Sequence, residues 1–228
     1  MKFGLGLSVQ HLPEEPQAVR FREHVEQVRL ARAVGFSSIW ASQHYLSDPF
    51  TYFQPIPTLA RLAADARGMI LGTGVLLLPL HHPVEIAEQL ATLERQLELF
   101  RSTRRELGRP AAIETPLIKE CYVAPDAATA FAEAAAAIGP KYSAYRRWEQ
   151  DKALPPGETF DASFGELARD RFIVGDPARV VEEIARCRER LGVTTLIVRV
   201  QWPGMAQEKV LRSIRLLGQK VLLKFLSS

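Results

Sequence analysis

Apolar residues along this chain follow two rhythms. In short stretches such as KFGLGLSV (residues 2–9) and MILGTGVLLLPL (69–80) they run on or alternate; elsewhere they return every three or four positions. The first rhythm predicts strands and the second predicts amphipathic helices. Read this way, strands fall over residues 2–9, 36–45, 69–80, 113–124 and 194–204. Helices fall over 21–34, with Gly35 as the left-handed stop, and over 57–66, with Pro57 in the first turn. More follow from the Asp126 cap, through KYSAYRRWEQ, over 177–191 between Asp176 and Gly192, and over 207–225.

One stretch breaks the alternation. From Pro83 to Leu107 a single helical pattern runs about two helices long, with no strand between. The remaining order, strand–helix repeats with runs apolar on both faces, defines an α/β class with a covered parallel sheet. The expected architecture is an incomplete TIM-type barrel of about five predominantly parallel strands with flanking helices, joined by one long helix. A closed barrel of that type needs eight strands. No repeat or linker divides the chain, so residues 1–228 read as one domain.

Composition narrows the function classes. Hydrophobic residues make up 47% and charged residues 24% of 228, with a net charge of +3. That charge is too small and too dispersed for a nucleic-acid partner, and the basic C-terminal residues read as a solvated helix face. Cys121 and Cys187 are far apart and lack metal or redox spacing, so buried thiols in a reducing cytoplasm are expected. No run is laid out as a signal peptide or a membrane span.

In a parallel α/β fold, functional groups gather at the C-terminal ends of strands. That rule selects Ser8, Gln10 and His11, then Ser42, Gln43, His44 and Tyr45, and finally Gln201 and Trp202. His44 follows an apolar strand directly, where an imidazole can act as general acid or base, or stand as a structural loop histidine. The segment Gly72–Thr73–Gly74–Val75 lacks the spacing of a phosphate loop. Its glycines signal a bulge, close approach of a flat ligand, or crowding inside a barrel. His81 and His82 have no further ligand at a zinc-like spacing, so no metal site is expected. Trp202 reads either as a lid or stacking platform or as a core aromatic.

Taken in order, KFGLGLSV, ARAVGFSSIWASQHY, ILGTGVLLLPLHHPVEIAEQLATLE and FIVGDPARVVEEIARCRERLGVTTLIVRVQWPGM resemble the bacterial-luciferase-like family of flavin- or deazaflavin-dependent oxidoreductases. The resemblance spans about residues 1–94 and 104–220. It implies a TIM-like barrel that binds reduced FMN, or alternatively a deazaflavin coenzyme, at its C-terminal mouth. The implied activity is a monooxygenase acting on a small-molecule substrate, supplied by a separate flavin reductase. On this chain the resemblance places the active-site histidine at His44. It assigns the cofactor-backing strand, where a non-proline cis bond is common, to Gly72, Thr73, Gly74 and Val75, and the mouth of the last strand to Trp202.

The resemblance also exposes a departure. Family members carry about three more strand–helix units where EQLATLE here runs almost directly into RQLELFRSTRRELGRP, which places a seam near residues 94–104. Much of the family's grip on the flavin phosphate belongs to that missing middle. Three functions therefore stay open: a shortened flavin enzyme of monooxygenase or deazaflavin type, a non-catalytic flavin-binding remnant, and a structural partner of a longer relative. Open sheet edges are liabilities, so a homo-oligomer is expected.

Overall fold

The computed structural model describes residues 1–82, 116–153, 159–169 and 171–226. The strands are β1 (Lys2–Leu7), β2 (Gln10–His11), β3 (Ser38–Ala41), β4 (Thr51–Tyr52), β5 (Ile70–Thr73), β6 (Pro116–Val123), β7 (Phe172–Gly175) and β8 (Thr195–Arg199). The helices are α1 (Gln17–Ala33), α2 (Pro55–Leu62), α3 (Ala127–Arg147), α4 (Phe164–Ala168), α5 (Pro177–Leu191), α6 (Gln207–Leu216) and α7 (Leu223–Leu226). A π-helical turn over Leu217–Leu222 joins the last two.

Six strands form one sheet in the order β5-β3-β1-β8-β6-β7, and every pairing in it is parallel. The incomplete parallel barrel is borne out, with six strands where the sequence pattern shows about five. The added strand is β7, whose four residues, FIVG, are too short a run to separate from the helix behind them. Among the described residues the sheet does not close, and β5 and β7 are its edges. The long helix read over 83–107 and the seam at 94–104 lie outside the described residues. No helix among those described is long and apolar enough to cross a membrane.

Local signals explain most element ends. Asp126 and Asp176 accept hydrogen bonds from the backbone N–H groups of Thr129 and Arg179, and so cap α3 and α5. Gly192 ends α5 at φ 64°, a left-handed conformation that favours glycine. Ser163 and Glu166 form a reciprocal capping box that starts α4. The Ala-rich helix after Asp126 and the helix read over KYSAYRRWEQ are one continuous element, α3, which runs through residues 139 and 140.

Strand alternation puts Phe3, Leu5 and Leu7 on one face of β1 and Gly4 and Gly6 on the other. The three large residues are at most 1% exposed and join Ile39, Leu196, Val198, Val28, Ile184 and Ile214 in one core. Burying each such side chain contributes about 1.5–3 kcal/mol. The centre of the sheet joins the two ends of the chain. β1 pairs with β8 from Lys2↔Thr195 to Gly6↔Arg199, and the amine of Met1 donates to the carbonyl of Phe225 at 3.2 Å.

Beside the small β2–β4 ladder, two histidines are enclosed by Phe21 and Phe53. The His11 and His24 rings lie 5.2 Å apart and are almost fully buried. His24 donates Nε2–H to the carbonyl of Ser8 at 3.1 Å, because a carbonyl can only accept. Burial lowers the pKa of His24 to about 4, and burial, followed by the proximity of His24, lowers that of His11 to about 3. Both stay neutral in the fold, while an unfolded imidazole takes up a proton near 6.5. Their contribution is complete above that pH and is lost as pH falls toward about 4 and then about 3. Denaturant unfolding between neutral pH and pH ~4 is expected to show stability falling by up to about 1.4 kcal/mol per pH unit for each histidine. The variant His11→Phe should flatten that slope.

Candidate functional site

The C-terminal ends of β1, β3 and β8 converge with the last turns of α3. His44 emerges just after β3 and is half-buried, with its ring 5.0 Å from Tyr52 and 6.1 Å from Trp148. Trp148 donates Nε1–H to the carbonyl of Asp48 at 3.0 Å, which ties the end of α3 to the loop that carries His44. The imidazole makes no hydrogen bond to another described residue, so its nitrogens are available to a ligand. Burial first, then Arg199 and Lys141, lower its pKa below the ordinary value, which leaves it neutral at pH 7.

Two small clefts open here, each of about 10 Å³, room for roughly one water. One is bordered by His44, Gln10, Tyr52 and Trp202. The other is bordered by Gly74, Trp40, Ile118 and Ile197. Leu7, Ser42 and Arg199 border both. Around the first cleft, Gln10 Nε2, the Tyr52 hydroxyl and Arg199 Nε are buried with no hydrogen-bond partner. Buried polar atoms are normally satisfied, so three orphans around one cleft match the heteroatoms of a polar ligand.

Beneath His44 lies a buried ion cluster. The carboxylate of Glu120 accepts from Lys141 Nζ on one oxygen and from Trp202 Nε1 on the other, the latter at 2.9 Å. Arg199 Nε stands 3.7 Å from the oxygen that Lys141 already holds. Burial pushes the Glu120 carboxyl up, but Lys141 and then Arg199 push harder, and the net is a pKa below the ordinary value. Cluster and cleft both depend on one row of the sheet. In register, Glu120 pairs Arg199, Arg199 pairs Gly6, Gly6 pairs Trp40 and Trp40 pairs Gly72. A Cβ on Gly6 would stand 2.6 Å from Arg199 Cγ, and one on Gly72 would stand 2.4 Å from the Trp40 ring. These glycines make room for a guanidinium and an indole.

The residues selected from the sequence fall as follows. His44 and Trp202 border the same cleft, and Gly74 borders its neighbour. Gly72 packs against Trp40, and Thr73 ends β5. The Gly74–Val75 peptide bond is cis, and Val75 is exposed. Trp202 is 1% exposed, so it walls the cleft and does not cover it as a lid. His81 Nε2 contacts Gln43 Oε1 at 3.0 Å in a link between the β3 and β5 loops. No group of three metal-ligating side chains occurs among the described residues. Glu120, Lys141, Tyr145 and Arg199 were not selected, although a charge inside the apolar runs LIKECYVA and LIVRV is a readable signal.

Residues 1–98 match the model of the luciferase-like monooxygenase family. The 4-hydroxyprotoasukamycin monooxygenase of Streptomyces nodosus subsp. asukaensis is 32% identical over 95 residues, 41% of this chain and 25% of that protein. The chain thus spans about a quarter of the length of the curated relative it matches. Among solved structures, the monooxygenase RslO1 from Streptomyces bottropensis aligns at TM-score 0.76 and 18% identity, covering 99% of this chain and 100% of the other. The oxygenating constituent of 3,6-diketocamphane monooxygenase from Pseudomonas putida, in complex with FMN, aligns at 0.71 and 15%, covering 98% of each. An F420-dependent secondary alcohol dehydrogenase with an F420–acetone adduct aligns at 0.68 and 12%, covering 97% and 98%. The resemblance to the luciferase-like family is therefore borne out over the first 98 residues, which match its model, and the fold as a whole aligns with that of solved monooxygenases. The family match ends inside the stretch where the seam was placed.

The ion cluster makes its own prediction. Glu120→Gln leaves Lys141, whose side chain is only 5% exposed, without a counter-charge. Urea unfolding should show a loss of about 3–5 kcal/mol.

Proposed function

We propose that the chain is a flavin-dependent oxidoreductase of monooxygenase type, using reduced FMN and oxygen on a small organic substrate. The observation that carries this reading is the set of unpartnered buried polar atoms around His44, at the strand ends of a luciferase-like sheet. The ring of a flavin offers carbonyl and ring-nitrogen partners for Gln10, Tyr52 and Arg199. Gly74 and Val75 would border its flat side, and Trp202 would close the wall. The bound cofactor would supply the redox chemistry. His44, neutral at pH 7, would accept or return a proton at its free ring nitrogen. These residues would hold the ring, once the two small clefts around Arg199 open into one; the family's phosphate-binding elements belong to the middle that the resemblance places outside this chain.

A second reading replaces FMN with a deazaflavin and oxygen chemistry with hydride transfer. The F420-dependent neighbour favours it. A separate flavin reductase and a homo-oligomeric partner, covering the β5 or β7 edge, belong to the proposal for the whole protein.

Fluorescence titration with reduced FMN, oxidised FMN and the deazaflavin tests the reading. Saturable binding of one of them is expected, and binding of none would leave only a structural role. Where turnover accompanies binding, His44→Ala is expected to lower it about 10²- to 10⁴-fold. The acidic limb of the rate profile should lie below 6.5, because the lowered pKa keeps the imidazole neutral until the pH falls through it.

A further inference from the structure

Arg199 has a position that the ion cluster alone does not explain. Both oxygens of Glu120 are already taken, by Lys141 and by the Trp202 indole. The guanidinium remains 3.7 Å away as a second cation beside one carboxylate, with its Nε–H buried and without a hydrogen-bond partner. Among the described residues, no other carboxylate contacts Lys141 or Arg199. The cluster therefore carries one uncompensated positive charge at a site mostly removed from water. A half-buried cation of this kind costs stability unless something balances it. Yet the fold goes out of its way to hold it, because Gly6 leaves the space that the arginine stem fills. Among the described residues, Arg199 is also the only charged one bordering both clefts, so a ligand that spans them passes it.

We propose that Arg199 is an anion-recognition residue of this site, taking a delocalised anionic oxygen, enolate or carboxylate, on a flat ligand. This rests on the flavin reading only for one of its two sources: the ring of reduced FMN, anionic near neutral pH, or an aromatic carboxylate bound as substrate. The planar guanidinium fork suits either group.

Oxidised and reduced FMN carry the same phosphate but differ in ring charge, so comparing them isolates the ring. Under anaerobic, mildly alkaline conditions, the wild-type chain is expected to prefer reduced FMN. Arg199→Met should weaken reduced FMN by about tenfold or more and leave oxidised FMN within about threefold, the loss of one charge-assisted contact. In a second arm, benzoate and benzamide are titrated against tryptophan fluorescence. A preference for benzoate that disappears in the variant assigns the anion to the substrate. If the wild type binds neither form of FMN, the flavin reading fails while the benzoate arm still decides the proposal. If neither reduced FMN nor benzoate binds in an Arg199-dependent way, the proposal is overturned. Lys141 and Trp202 still satisfy Glu120 in the variant, so Tm should change little, whereas a structural role for Arg199 requires a clear loss. Arg199→Gln serves as the second neutral variant, and failure of both to fold would assign Arg199 to the fold and overturn the proposal.

Discussion

The site depends on one carboxylate. Glu120 sits in β6, Lys141 comes from α3, and Arg199 and Trp202 come from β8 and the turn after it. A buried charge of this kind is tolerated only with close partners, so the three segments must meet at one point. Once they do, the last turns of α3 are set above the sheet, and Tyr145 and Trp148 arrive beside His44. The same two cations help to keep that imidazole neutral. Electrostatics thus gathers the wall of the cleft and sets the protonation of the residue best placed for chemistry.

Side-chain volumes in the sheet fit around this arrangement. Along the row Glu120, Arg199, Gly6, Trp40, Gly72, large groups and glycines share the space, as layers do inside a closed barrel. Here the layer is assembled from strands that leave two edges open among the described residues. The face is nonetheless filled, because the indole and the guanidinium reach across the positions where their neighbours have no side chain.

Much of this was legible in the sequence. The parallel α/β class, the Asp126, Asp176 and Gly192 boundaries, and the gathering of His44 with strand-end residues follow from periodicity, capping and topology. The glycines of LGTGV signalled a close approach, but a sequence does not say what approaches. For Gly72 it is Trp40, its register partner on the neighbouring strand β3 and 32 residues earlier in the chain. β7 was hidden because four apolar residues before a helix cap have no period of their own. Glu120 and Lys141 were hidden for a different reason. Each looks like an ordinary charge on its own element, and only the long-range pairing of β6 with β8 and the path of α3 turns them into partners.

The pairing of β1 with β8 also governs when the molecule can exist. The central strand of the sheet stays half-made until residues near 195 arrive, so β1 presents an unpaired side throughout synthesis. The length of chain between those strands matters little for the entropy of bringing them together, since each doubling of a loop adds only about 0.6 kcal/mol. It matters for time: every residue translated between them lengthens the interval in which a neighbouring chain could pair with the open side.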